Sequence, residues 1–290
     1  MRPRRSALYV PGANARAIDK ARSLPVDVVI LDLEDATLPE AKTSARAHVR
    51  SVLAEGGFGE REVVVRINGA RTEFGAEDLA ALATSGAHAL LLPKVESPRE
   101  LHEAERLLAS MDAPATLALW AMIETPRGVL EAASIGAAGG RLAALVAGTS
   151  DLTNALRARH VAGRAPLLPA LALLLLAARA NGLAALDGVH LALRDEAGLE
   201  AACQQGRELG FDGKTLIHPA QIDAANRAFS PTADELAEAR EQVAAFAAAR
   251  QQGKGVAVAR GKLVEELHVR DAQALLDLAD AIARRADSFS

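Results

Sequence analysis

Six short apolar runs in this 290-residue chain end in residues able to do chemistry. The ends read Leu33-Glu34-Asp35, Arg66-Ile67-Asn68-Gly69, Pro93-Lys94-Val95-Glu96, Glu124-Thr125-Pro126-Arg127, Gly148-Thr149-Ser150-Asp151 and His218-Pro219. Glu124 and Asp151 close two successive runs, and two such carboxylates suit a hard cation such as Mg²⁺, which takes few protein ligands and keeps several waters. The open positions on the ion would chelate a 2-oxo or 2-hydroxy acid and polarise its carbonyl. The alternative is structural: Asp151 capping the helix through Asn154, Glu124 bridging to Arg127. Arg66 interrupts Val63-Val64-Val65 and Ile67, where a guanidinium is costly without a partner. Its fork suits a substrate carboxylate or a developing enolate oxygen; the plainer reading is an ion pair with Glu34 or Asp35. Lys94 has the same two readings. A Schiff base on Lys94 is chemically open, but the carboxylate pair favours a metal route. His218 is a candidate ligand or base, though a histidine before proline more often caps or packs. The single cysteine, Cys203, excludes an internal disulfide framework and a cysteine zinc site, and reads as a small buried hydrophobe.

These groups matter only if the runs that carry them end at one place. Eight apolar runs recur, beginning with Ala7-Leu8-Tyr9-Val10 and closing with Gly213-Lys214-Thr215-Leu216-Ile217-His218. Runs two to six are nearly continuous in apolar residues, as strands buried on both faces of a parallel sheet are. Helical stretches separate them at 16–22, 42–55, 76–84, 98–110, 128–133, 168–180 and 197–209. This alternation predicts a (β/α)8 TIM barrel, whose catalytic groups gather at the C-terminal ends of the strands. An open doubly wound sheet would call for a glycine-rich phosphate loop after the first strand, and Pro11-Gly12-Ala13-Asn14 is not one. No GxGxxG, GxxxxGK[ST] or HExxH motif is present. At about 150 residues per domain the length allows two domains or one large barrel. The strand count selects one barrel over 1–229 and a helical extension over 230–290, broken off by Pro231. The extension reads as a helix over 233–252, a Gly253-Lys254-Gly255 link, a short segment over 256–264 and a last helix over 270–285.

Thirty-three basic against 37 acidic residues leave a net charge of −4, which argues against a nucleic-acid surface but not against a small anionic substrate. Hydrophobic residues make up 50% and aromatics only 3%, so the core must be aliphatic. The basic start has no signal-like apolar stretch behind it. The charge-free segment 165–178 is shorter than the roughly 20 residues of a membrane span and contains Pro169. It reads as a buried helix, and the protein as cytoplasmic with no membrane partner.

With these motifs in view, the sequence resembles the citrate lyase β-subunit family within the HpcH/HpaI aldolase superfamily, over about 1–270. The ordered motifs are Arg5-Ser6-Ala7-Leu8-Tyr9-Val10-Pro11-Gly12, Leu31-Asp32-Leu33-Glu34-Asp35-Ala36 with Pro39 and Lys42, Val65-Arg66-Ile67-Asn68-Gly69, Leu92-Pro93-Lys94-Val95-Glu96-Ser97, Met122-Ile123-Glu124-Thr125-Pro126, Gly148-Thr149-Ser150-Asp151-Leu152, and Gly210-Phe211-Asp212-Gly213-Lys214 with Ile217-His218-Pro219. The resemblance implies a (β/α)8 barrel, Mg²⁺ and reversible C–C cleavage of a 3-hydroxy-acyl thioester of the citryl-, malyl- or citramalyl-CoA type. It implies Glu124 and Asp151 as metal ligands and Arg66 as the group that binds the substrate carboxylate or enolate oxygen. It also implies a homotrimer or hexamer whose C-terminal helices reach over a neighbour's barrel mouth. Glu265 stands where relatives acting on CoA thioesters often carry aspartate; it, Glu34 and Asp35 are the candidate acid/base groups. The chain also departs in its very apolar 161–176 segment and in Val189-His190-Leu191-Ala192, which is more polar in relatives. Two alternatives accompany the lyase: an Mg²⁺-dependent aldolase or lyase on a free hydroxy-oxo acid, and a non-catalytic subunit.

Overall fold

The apolar runs become strands because β-branched and aliphatic side chains fill both faces of a pleated surface. The computed structural model describes residues 2–70 and 72–288, with side chains to 285. In chain order it contains β1 (Ser6–Pro11), α1 (Ala15–Ala21), β2 (Val28–Asp32), α2 (Lys42–Glu55), β3 (Glu62–Arg66), α3 (Glu73–Leu82), β4 (Ala89–Leu92), α4 (Pro98–Ser110), β5 (Ala118–Ile123), α5 (Pro126–Leu130), α6 (Ala132–Gly136), β6 (Leu142–Ala147), α7 (Thr149–Ala155), α8 (Leu168–Ala180), β7 (Ala184–Asp187), α9 (Glu196–Leu209), β8 (Gly213–Leu216) and α10 (Ile222–Ala228). After these come α11 (Ala233–Gln251), β9 (Ala257–Ala259), β10 (Lys262–Val264) and α12 (Glu266–Ser288). Strands β1 to β8 pair in parallel, each with its sequence neighbours, and β1 closes on β8. The expected (β/α)8 barrel is therefore the observed fold.

The period-2 alternation of each strand divides the core in two. Ala7, Val28, Ile30, Val64, Ala89, Leu91, Trp120, Met122 and Val146 meet inside the barrel. Their neighbours Val29, Leu31, Val63, Val65, Leu90 and Leu92 join the layer beneath the helices. Trp120 is fully buried among alanines and aliphatics. Small Ala7, Ala89 and Ala144 leave room for the one tryptophan, which is how so aromatic-poor a chain fills its barrel. Arg4 covers the indole at 4.9 Å and forms a bidentate bond to Glu62, at 2.7 and 2.8 Å.

The chain forms two compact units, Arg4–Phe229 and a smaller one of Ser230–Ser290 with the first three residues. In the smaller unit a capping box of Thr232 and Glu235 starts α11. The segment expected only as short is an antiparallel hairpin, turned at Arg260 and Gly261 with φ of 47° and 74°. That pair of left-handed residues is the geometry of a two-residue hairpin loop. Glu241 and Asp234 hold the Arg260 side chain. The last helix begins at Glu266, earlier than the expected 270, because His268 Nδ1 accepts the Glu265 N–H at its start. The stretch read as one helix over 128–133 is two short ones, since Thr125 caps α5 with Pro126 at its first position. Helix α8 buries Leu171, Leu174, Ala177 and Ala178. At 1.5 Å per residue its 13 residues span about 20 Å, short of a bilayer core, and Gly163 and Arg164 before it are left-handed.

Candidate active site

Register alone brings the first pair together. Asp32 and Arg66 are the last residues of β2 and β3, and they are direct partners in the ladder. Arg66 Nε and Nη2 donate to the two Asp32 oxygens at 2.7 and 2.6 Å. Its Nη1 lies 3.0 Å from Glu34 Oε2 and donates to Asp35 Oδ2 at 3.1 Å. Asp32 also accepts the backbone N–H groups of Glu34 and Ala36, so it shapes the loop that carries Glu34 and Asp35. Lys42 Nζ ties that loop down through the Leu33 and Glu34 carbonyls and the Asn68 side chain. The expected ion pairs of Arg66 with Glu34 and Asp35 are both present, and Asp32 adds a stronger one.

Glu124 follows β5 and is 3% exposed. Its Oε1 accepts the Lys94 backbone N–H at 2.8 Å. Lys94 adopts φ of 51°, a conformation rare outside glycine, and strain of this kind collects at functional sites. Its Nζ reaches Glu34 Oε1 at 2.6 Å and Asp151 Oδ2 at 3.5 Å. Burial pushes the Glu124 carboxyl up to about 7; Glu34 and Asp151 add to the rise and Lys94 opposes it. Burial also raises Glu34, against the pull of Arg66 and Lys94. Gly148 explains how Glu124 fits: a Cβ there would stand 2.3 Å from the Glu124 Cβ. Asp151 sits in the first turn of α7 but does not cap it; the cap position is Gly148 and has no side-chain bond. Glu124 bridging to Arg127 is likewise replaced by the bond from Lys94.

A cavity of about 400 Å³ at the barrel mouth has Tyr9, Asp32, Asp35, Arg66, Glu124 and Asp151 on its wall. The Tyr9 ring lies 4.9 Å from the Arg66 guanidinium. Arg66 and Lys94 pair with Asp32, Glu34, Asp35 and Asp151, and among the described residues Glu124 has only the Lys94 backbone N–H, so the carboxylates outnumber these two cations. The surplus of hard oxygen donors, and a buried Glu124 that resists ionisation, fit a divalent cation held by Glu124 and Asp151. Among the described residues no group of three or more His, Cys, Asp or Glu could hold a metal. A cation here would thus depend on water and ligand oxygens, as Mg²⁺ does. A second cavity, also of about 400 Å³, shares Thr149, Ser150 and Val189 with the mouth. The apolar 161–176 segment and the 189–192 segment meet in its wall, through Val161, Leu167 and Leu191.

The chain belongs to the HpcH/HpaI aldolase/citrate lyase family. It matches that family over residues 5–219. It is 48% identical to a (3S)-malyl-CoA thioesterase of Cereibacter sphaeroides over 281 residues, covering 97% of this chain and 96% of the relative. It is 36% identical to the citrate lyase subunit beta of Leuconostoc mesenteroides subsp. cremoris, covering 97% and 94%. Among solved structures it is similar to CitE of Mycobacterium tuberculosis in complex with magnesium, acetoacetate and coenzyme A, at 32% identity and a TM-score of 0.74 over 95% of this chain and 97% of that one. Of the residues singled out in the sequence, the structure gathers Glu34, Asp35, Arg66, Lys94, Glu124 and Asp151. Glu265 belongs to the smaller unit, between β10 and α12. His218 caps the turn at Pro219–Gln221, its Nδ1 accepting the Ala220 N–H at 3.2 Å. Sequence reasoning missed Asp32 and Tyr9. Asp32 breaks an apolar strand as Arg66 does, so the same burial argument would have found it.

Proposed function

We propose that the chain is a carbon–carbon lyase that cleaves a 3-hydroxy-acyl thioester, of the malyl-, citramalyl- or citryl-CoA type, into an oxo acid and an acyl thioester. One observation carries this reading: a carboxylate pair short of positive charge, Glu124 and Asp151, faces a carboxylate-bound guanidinium, Arg66, in one mouth. Mg²⁺ held by Glu124 and Asp151 would supply Lewis-acid polarisation of the oxo-acid oxygen. Lys94, anchored on Glu34, would meet the anionic end of that acid. Glu34, raised by burial, or Asp35 would take the hydroxyl proton as the C–C bond opens. The electron pair of that bond passes to the thioester side as an enolate, and the Arg66 charge offsets it where the transition state differs most from the substrate. The second cavity, which shares Thr149, Ser150 and Val189 with the mouth, suits the long arm of a thioester better than a free acid.

The same site in a second copy is part of the reading. Val258, Leu263 and Leu267 of the smaller unit are exposed apolar residues, and their cover is a neighbouring protomer in a trimer or hexamer. Glu265 then serves the neighbour's mouth as acid or base. Hydrolysis of the thioester is the second reading, favoured by the 48% identity to (3S)-malyl-CoA thioesterase. Incubation with malyl-CoA and citramalyl-CoA with Mg²⁺ separates the two: cleavage releases glyoxylate or pyruvate, hydrolysis releases free thiol and the hydroxy acid. Free hydroxy-oxo acids form the third arm. Glu124→Ala is expected to abolish the Mg²⁺-dependent product; full activity in that variant removes the assignment.

A further inference from the structure

Tyr9 is the one tyrosine of the chain, and nothing in the scheme above uses it. It lies on β1, and in a barrel of eight strands β1 stands opposite β5, which leads to Glu124. Its ring packs against the barrel interior and lies 4.9 Å from the Arg66 guanidinium. Its hydroxyl is shielded from solvent and has no hydrogen-bond partner among the described residues. A buried hydroxyl left unpaired is costly, so such groups in a cavity wall are made for a ligand. Arg66, by contrast, commits Nε and Nη2 to Asp32 and Nη1 to Asp35 and Glu34. It brings positive charge to the mouth while its N–H groups point at carboxylates. Among the described residues the Tyr9 O–H is an uncommitted donor on this side of the cavity.

We infer that the Tyr9 hydroxyl is the directed donor to the thioester carbonyl oxygen, a catalytic residue acting beside the charge of Arg66. This rests on the thioester reading above and deepens it. The position across from Glu124 and Asp151 is what assigns the atom. The oxo-acid end belongs on the β5–β6 side with those carboxylates, so the acyl end lies towards β1–β3. In C–C cleavage the hydroxyl proton leaves to a base and the bonding pair moves onto the α-carbon and thioester oxygen. The enolate carbon then takes a proton, giving the acyl thioester and the oxo acid. In hydrolysis water adds to the thioester carbon and loses a proton to a base. The tetrahedral oxyanion collapses, and the thiolate leaves and takes up the proton. Both routes place negative charge on the same oxygen, so one donor serves both. Burial and the carboxylates Asp32, Glu124 and Glu34 hold the phenol above its usual range, so it donates a hydrogen bond and keeps its proton.

The test is Tyr9→Phe in the full-length protein. Three quantities are measured: turnover of malyl-CoA or citramalyl-CoA, exchange of the acetyl-CoA methyl protons in D2O with Mg²⁺ by NMR, and calorimetric binding of glyoxylate or pyruvate with Mg²⁺. Loss of an oxyanion donor is expected to lower turnover and exchange together by on the order of 10²-fold. KM and the oxo-acid Kd should stay within about twofold, because binding energy realised only in the transition state raises kcat. The Tm should equal or exceed that of the wild type, since an orphaned buried hydroxyl has been removed; a hydroxyl with a structural bond would lower it. Unchanged turnover in an active background overturns the inference, as does an oxo-acid affinity that falls in step with the rate. A wild-type protein that neither cleaves, hydrolyses nor exchanges any thioester overturns the thioester reading itself, and is told apart by needing no variant.

Discussion

Glu124→Gln should make the metal-free protein more stable while disarming it. The wild-type carboxyl is lifted from 4.5 to about 7 by burial, Glu34 and Asp151. At about 1.4 kcal/mol for each tenfold change in proton affinity, the ionised side chain costs the folded state about 3 kcal/mol. Glutamine keeps the shape and the acceptor for the Lys94 N–H, now bonded at 2.8 Å, and removes the charge. The sign follows from proton binding. A folded-state value above the unfolded one means that the folded protein holds more protons between pH 4.5 and 7, so wild-type stability falls as pH rises through that window. The advantage of the variant should therefore be about 3 kcal/mol at pH 8 and vanish near pH 4.5. For a domain of this size that is roughly 6–12 °C in Tm. Calorimetric scans with chelator from pH 4.5 to 8.5 measure it. Excess Mg²⁺ should close most of the gap: at a hundredfold excess over Kd, binding adds about 2.7 kcal/mol to the wild type and nothing to the variant. A variant no more stable than wild type at pH 8, or one whose advantage ignores pH, would refute the view of Glu124 as a carboxylate strained for want of a cation.

Other perturbations probe the frame around it. Asp32→Asn breaks a bidentate pair to a buried Arg66. Because Glu34 and Asp35 still face the guanidinium, the loss should be about 3 kcal/mol, the low end for a broken buried pair, read as a drop in Tm at constant pH. Gly148→Ala places a methyl group 2.3 Å from the Glu124 Cβ. Displacing the carboxylate should cost on the order of 10²-fold in turnover, with the circular-dichroism spectrum unchanged. Trp120→Ala empties the barrel centre and should cost about 3–5 kcal/mol by urea titration, with little effect on Mg²⁺ affinity in the protein that remains folded.

Much of the mouth was legible in the chain because charge inside an apolar run has a single physical explanation: it faces a site or a partner. That argument reached Arg66, while Lys94, Glu124 and Asp151 were found by their places at the ends of the runs; it applied equally to Asp32, which went unnoticed because Glu34 and Asp35 beside it looked like the natural partners. Tyr9 was invisible to it. A tyrosine in a strand is ordinary, and only the missing partner of its hydroxyl sets it apart. The fold was legible through periodicity, since two-sided burial forces continuous apolar runs and the helices between them force parallel pairing. The hairpin of the smaller unit was missed because three-residue strands carry too little pattern, and its turn depends on Arg260 accepting a left-handed conformation.

The sequence by itself determined the eightfold alternation, the aliphatic core and the set of charged residues at the strand ends, because these follow from local pattern and the cost of burying charge. Only the tertiary structure decided which of those charges pair. Register set Arg66 opposite Asp32. The strained backbone of Lys94 turned its N–H to Glu124 and its ammonium to Glu34. A missing Cβ at Gly148 let Glu124 lie against the chain. Each is a contact between distant segments, set by barrel closure, and it is this closure that turns a list of strand-end residues into a mouth with excess negative charge and an uncommitted hydroxyl on Tyr9.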